Sequence, residues 1–125
     1  METIRILITD DHPVVREGLA GILAGQADFE VVGLAADGDT AVTLHNSLTP
    51  DVTLMDLRMP GIGGIEAIRQ LKSDPKVSDI PVIVISAWGD QKNQEQALEA
   101  GAIKVLTKPV GIEQLLEQIN RSVSS

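Results

Sequence analysis

The sequence predicts an α/β three-layer sandwich: a five-stranded parallel sheet of strand order 2-1-3-4-5 with five helices. Three observations predict it. Short apolar runs of strand length alternate with helix-spaced ones from end to end. Runs such as Val82-Ile83-Val84-Ile85 are apolar throughout, as strands covered on both faces must be. Four runs end on Asp10–Asp11, Asp56, Ser86 and Lys108, and open parallel sheets keep their binding crevice at the carboxyl ends of the strands.

The first strand is Ile4–Thr9. Pro13 suits the first turn of the helix that follows, where its missing N–H is not needed, and Val14, Val15, Leu19, Ile22 and Leu23 recur at helical spacing before Gly25. Glu30–Leu34 reads as the second strand, and Asp37-Gly38-Asp39 as a turn or cap opening a helix over Ala41–Ser47. Pro50 and Asp51 introduce the strand Val52–Met55. Arg58–Gly64 is a loop dense in helix breakers, and Ile65, Ile68 and Leu71 form a helical stripe that ends before Pro75. Pro81 precedes the strand leading to Ser86, at a position that need not donate to the ladder. Gln91–Ala100 is a helix closed by Gly101, Ala102–Thr107 is the last strand, and Ile112, Leu115, Leu116, Ile119 and Val123 make an amphipathic final helix. Five β/α units with right-handed crossovers favour a flavodoxin-like arrangement, which sets the Asp10–Asp11 strand beside the Asp56 strand. Residues 1–123 are expected to form one domain, with 124–125 a tail.

With 125 residues and 43% hydrophobic side chains, the chain is long enough for a core and too interrupted for a membrane span. A cytoplasmic protein is expected. A net charge of −8 and the lack of a Lys/Arg cluster argue against direct nucleic acid binding. Cysteine is absent, which excludes disulfides and thiolate metal sites. Two carboxylates about 4 Å apart repel by roughly 4 kcal/mol at an effective dielectric near 20. Three gathered at one sheet edge therefore call for a proton or a cation. Hard oxygen ligands suit Mg²⁺, with Asp11 and Asp56 as direct ligands and Asp10 acting through water. Asp56 is then a candidate nucleophile, since carboxylates form aspartyl phosphates. Phosphoryl transfer needs in-line positioning and charge neutralisation, for which the metal, Lys108 and the Ser86 hydroxyl are suited.

The acidic pair Asp10–Asp11, the segment Leu54-Met55-Asp56-Leu57-Arg58-Met59-Pro60-Gly61, Ser86-Ala87, Gly101-Ala102 and Lys108-Pro109 together resemble the receiver domain of two-component response regulators. The likeness covers essentially the whole chain. The opening from Asp10 to Leu19 looks most like LuxR-type regulators. The resemblance implies that Asp56 accepts a phosphoryl group from the phosphohistidine of a sensor kinase or phosphotransfer protein. It implies that Asp10, Asp11, Asp56 and the backbone carbonyl of Arg58 hold Mg²⁺, that Lys108 pairs with the phosphoryl group, that Ser86 hydrogen-bonds it, and that Lys108–Pro109 is cis. One departure stands out. Many receivers carry an inward-swinging Tyr or Phe three residues before the Lys, and Val105 stands there.

Arg58 and Trp88, each two residues past a site residue, are expected to flank the entry and hinder the hydrolytic water. His12 reads as a polar residue at a helix start rather than as a ligand or relay histidine, and His45 as exposed helix surface. Gly61-Ile62-Gly63 is no dinucleotide loop, because Glu66 holds the third glycine position.

Three functions compete. A phospho-accepting switch that catalyses only its own phosphorylation and dephosphorylation uses every residue named. An Mg²⁺-dependent aspartyl-phosphate phosphohydrolase would need an acid where Arg58 stands, and a substrate cap. A phosphate-independent interaction module would leave the Asp56–Lys108 set unexplained. No effector follows the last helix, so the output is expected to be a separate protein or a missing effector domain. Docking is expected on the fourth helix, fifth strand and fifth helix, where Gln91, Asn93, Gln94 and Gln114 are expected to be exposed. A homodimer through that face or the first helix is a further expectation.

Overall fold

The computed structural model describes residues 3–59, 61–87 and 89–123. Strands and helices alternate strictly: β1 Ile4–Thr9, α1 Pro13–Ala24, β2 Phe29–Ala35, α2 Gly38–Leu48, β3 Val52–Asp56, α3 Gly63–Ser73, β4 Val82–Ser86, α4 Gln91–Ala100, β5 Lys104–Thr107 and α5 Ile112–Val123. The strands form one sheet in the order β2-β1-β3-β4-β5, parallel at every pairing, which is the flavodoxin-like topology read from the sequence.

The period of two along each strand divides the core between the sheet's faces. Ile6, Ile8, Val52, Leu54, Ile83 and Ile85 face α1 and α5, meeting Leu23, Leu115 and Ile119. Met55, Val82 and Val84 face the other way, toward Ala67, Ile68 and Leu71 of α3, Ala41 of α2 and Ala97 of α4. Leu115 and Ile119 lie one helical turn apart, and burying each stabilises the fold by about 1.5–3 kcal/mol.

Helix ends follow local chemistry. Pro13 opens α1 in its first turn. The Asp37 side chain caps α2 by accepting from the Thr40 N–H at 2.7 Å, and these hydrogen bonds hold its carboxyl below the usual carboxylate range. The last strand is shorter than its apolar run. The Ala102 N–H still bonds the Ala97 carbonyl at 3.0 Å as α4 unwinds through Gly101 at φ +125°, so the first bond to β4 is from the Ile103 N–H to the Val82 carbonyl at 3.0 Å and the register of the strand starts at Lys104. Ile103 is half exposed in consequence. In α1 the apolar stripe is wider than the buried face: Leu23 is buried and Leu19 packs on the core, whereas Val14 is 83% exposed.

His45 overturns its expectation. It is fully buried, and its Nδ1 lies 2.9 Å from the Thr53 hydroxyl of β3. Gly38, Ala41 and His45 define the inward face of α2, so the imidazole occupies a position that packing, not polarity, assigns. Lys72 of α3 fastens the connection to β4 by donating from Nζ to the Ser78 and Ile80 carbonyls at 2.9 and 2.8 Å.

Gly64 sets the seat of α3 against the end of β3. A Cβ there would fall 2.7 Å from Leu57 Cα and 2.8 Å from the Asp56 carbonyl oxygen, both backbone atoms that cannot give way. Gly64→Ala should therefore cost about 1–3 kcal/mol as an overpacking change, read as a lowered urea midpoint.

Candidate functional site

The parallel sheet carries Asp10, Asp56, Ser86 and Lys108 to one rim. Asp10 directly follows β1, Asp56 ends β3, Ser86 ends β4, and Lys108 follows β5. Thr107 is in register with Ser86, and the Lys108 N–H donates to the Ser86 carbonyl at 2.8 Å, which locks the last two strand ends together. The Lys108–Pro109 peptide is cis, as the resemblance implied.

The carboxylates are close-set. Ligand atoms of Asp10, Asp11, His12 and Asp56 all lie within 4.8 Å of one another. Asp10 and Asp56 are almost wholly buried, at 2% and 4% exposure. Lys108 Nζ stands 3.5 Å from Asp56 Oδ2 and 3.9 Å from Asp10 Oδ2. On the other side of Asp56, the Arg58 N–H points at Oδ1 at 3.4 Å. Burial pushes the Asp56 carboxyl above its ordinary value; Lys108 pulls it down, Asp10 raises it, the Arg58 N–H lowers it and Asp11 raises it, and the net direction is up. An ionised Asp56 is thus costly unless further positive charge reaches it.

His12 occupies the helix-start position expected of it, immediately before Pro13, and makes no side-chain cap. It also does something the sequence did not signal. Its Nδ1 lies 3.2 Å from Asp10 Oδ1 and 3.0 Å from Asp11 Oδ1, the latter within ion-pair distance but without hydrogen-bond geometry, for Asp11 Oδ1 is buried and has no hydrogen-bond partner among the described residues. Arg16 Nη1 clamps the Asp10 carbonyl at 2.8 Å. The Ser86 hydroxyl is buried at the rim, likewise without a hydrogen-bond partner among the described residues.

Arg58 leans across the rim, its Nε 3.9 Å from Asp90 Oδ2 before α4. Trp88, its expected companion at the entry, lies outside the described residues, as does Pro60 of the Asp56 segment. Two side chains expected to be exposed on α4 are turned inward. Asn93 Nδ2 donates to Asp90 Oδ1 at 2.8 Å, and Gln94 Nε2 reaches the Ala87 carbonyl at 3.4 Å and the Thr107 hydroxyl at 3.5 Å. Asn93 thereby pairs an Asp90 carboxylate oxygen, while the Ala87 carbonyl accepts from the Asp90 N–H at 3.3 Å as well as from Gln94. Gln91 and Gln114 are exposed as expected.

A family model of the response regulator receiver domain matches residues 6–120. The chain belongs to that family. Among relatives, this receiver domain is 40% identical over 119 residues to the response regulator GacA of Pseudomonas aeruginosa, covering 94% of this chain and 54% of GacA. It is 46% identical over 105 residues to the transcriptional regulatory protein LiaR of Bacillus subtilis, covering 84% and 49%. The chain thus spans about half the length of the curated relatives it matches. Among solved structures, the receiver domain of the response regulator NarL from Mycobacterium tuberculosis superposes with a TM-score of 0.89 at 32% identity, over 98% of each chain. The first residues to signal this family, Asp10, Asp11, Asp56, Ser86 and Lys108, are those the receiver fold gathers here. No helix among the described residues is long and apolar enough to cross a membrane.

Proposed function

We propose that this receiver domain is a phospho-accepting switch in which Asp56 takes a phosphoryl group from the phosphohistidine of a sensor kinase or phosphotransfer protein. The observation that carries the reading is the placement of the Lys108 ammonium 3.5 Å from the buried Asp56 carboxylate, with Asp10 and Asp11 alongside. An Asp56 oxygen attacks phosphorus, the phosphorus–nitrogen bond of the donor breaks, and the imidazole leaves with its electron pair to be protonated. Lys108 balances charge on the transferring oxygens, and the Ser86 hydroxyl, buried without a partner among the described residues, is suited to donate to one of them. Hydrolysis reverses the modification: water attacks phosphorus, releasing inorganic phosphate and the Asp56 carboxylate.

The donor set suits Mg²⁺. Three carboxylates converge within 4.8 Å, and Asp11 Oδ1 is a buried oxygen with no hydrogen-bond partner among the described residues. Asp10, Asp11, Asp56 and the Arg58 backbone carbonyl would hold the ion. When bound it supplies charge neutralisation on the phosphoryl oxygens. The domain is proposed to catalyse only its own phosphorylation and dephosphorylation, in the cytoplasm. Its readout is proposed to lie in an effector domain or output protein, in keeping with relatives twice its length that are named as regulators.

Intact-mass measurement after incubation with acetyl phosphate and Mg²⁺ tests the reading. A single phosphoryl adduct is expected, and it should vanish in Asp56→Asn. An unlabelled wild-type domain would leave the interaction-module reading standing. Once labelled, Arg58→Ala should lose its phosphoryl group severalfold faster than wild type, because the guanidinium that now spans toward Asp90 would no longer crowd the entering water. An unchanged lifetime would remove Arg58 from that role.

A further inference from the structure

The aromatic side chain that many receivers swing toward the site is replaced by Val105, which has neither the reach nor a polar end to link the site to α4. The structure offers another link. Gln94, in the first turn of α4, is bonded to the residue after Ser86 and to the residue before Lys108, through the Ala87 carbonyl at 3.4 Å and the Thr107 hydroxyl at 3.5 Å. Those two residues flank the two groups that would contact a phosphoryl group on Asp56. They are also tied to one another, by the Ser86–Thr107 register and the Lys108 N–H to Ser86 carbonyl bond. A backbone displacement of Ser86 or Lys108 toward a phosphoryl group would carry the adjoining Ala87 or Thr107 with it and so alter an acceptor of this single amide.

The helix receiving this signal is weakly held. Ala97 is its only fully buried residue, so little apolar burial opposes a shift of its first turn. There is also room to move. Gln94 lies between two hollows, one of about 600 Å³ that it lines with Leu98, Ile103, Lys104 and Val105, and one of about 320 Å³ shared with Gly89, Gln91 and Thr107. Both hydrogen bonds are long, near the limit at which such bonds persist. An amide on two stretched bonds with space on either side is a two-position element of the kind a switch needs.

We propose that Gln94 is the positioning residue that carries the phosphorylation state of Asp56 to α4, in place of the absent aromatic. The proposal rests on the phospho-accepting reading above. Amide hydrogen exchange of residues 91–100, followed by mass spectrometry with and without beryllofluoride and Mg²⁺, tests it on the whole chain. In wild type the exchange rates of α4 should differ between the two states by roughly fivefold or more, the lower end of ordinary coupling between sites. Gln94→Met, which keeps the length but removes the donor, should reduce that difference to less than about twofold, again judged against the usual scale of coupling. It should still form the acetyl phosphate adduct.

If Gln94 serves only to hold the helix, the methionine variant will exchange faster in both states with their ratio preserved, and the proposal is overturned. It is overturned equally if wild-type α4 does not respond although the adduct forms. Failure of wild type to form any adduct instead removes the phospho-accepting reading itself, so the two failures are told apart by the mass spectrum.

Discussion

Asp56→Asn should raise the urea midpoint of the metal-free domain and, in the same variant, weaken its response to Mg²⁺. The Asp56 carboxylate is 4% exposed, and burial together with Asp10 and Asp11 disfavours its charge more than Lys108 and the Arg58 N–H favour it. The asparagine amide has nearly the same shape and no charge. Each carboxylate pair at about 4 Å costs roughly 4 kcal/mol at an effective dielectric near 20, and Lys108 cancels much of this, leaving an expected gain of about 1–2 kcal/mol. Mg²⁺ should invert the order. At a concentration near one hundred times its dissociation constant, a ligand that binds only the folded state adds about 2.7 kcal/mol, and the variant should receive less because it has lost one of three acidic ligands. Denaturation of both proteins with EDTA and with excess Mg²⁺ reads both halves. A variant less stable than wild type without metal would mean that the Lys108–Asp56 pair outweighs the crowding of acids.

His45 should make the fold sensitive to mild acid. The imidazole is fully buried, and burial holds its pKa below the ordinary histidine value, with the Val77 backbone opposing it and Lys72 adding a smaller depression. Among the described residues Nε2 has no hydrogen bond of full geometry, and burial prevails over the Val77 backbone. With the folded pKa beneath the unfolded one, the neutral ring is in place above about pH 6.5, and the unfolded chain binds the proton first as pH falls. Stability is therefore intact at neutral pH and is lost as pH drops from about 6.5 toward the folded pKa, at up to about 1.4 kcal/mol per pH unit. His45→Asn keeps a polar partner for the Thr53 hydroxyl and should flatten that slope. His45→Ala should cost about 2–4 kcal/mol at neutral pH, through the cavity and the orphaned hydroxyl. Urea midpoints at pH 7.5 and 5 separate these outcomes, and a wild-type slope equal to that of His45→Asn would acquit the histidine.

The particular elements show why much of this was readable in the sequence. Val82–Ile85 had to be a strand sheathed on both faces, because nothing polar interrupts it until Ser86. Once the strands are parallel, every residue just past a strand lies on one rim, and Asp10, Asp56, Ser86 and Lys108 meet for topological reasons alone. What escaped notice depends on side-chain direction. His45 sits among Thr, Asn and Ser in sequence, and only the seating of Gly38 and Ala41 turns it inward. Gln94 is one of several glutamines in a polar segment, and only the turn after β4, which offers it the Ala87 carbonyl, sets it apart. The contact of His12 with both neighbouring acids accompanies a local turn in which Asp10 Oδ1 accepts from the His12 N–H at 2.9 Å, and the sequence does not show where the ring then points.

Because all five strands point the same way, the opposite rim carries none of this chemistry. The connections there, at residues 25–28, 49–51, 74–81 and 101–103, are shaped by backbone hydrogen bonds and by the Lys72 fastening rather than by a reacting group. Changes of length or sequence at that pole are thus separated from the Asp56 rim by the full length of the strands. An insertion or graft in one of those loops should leave the geometry around Asp56 and Lys108 undisturbed.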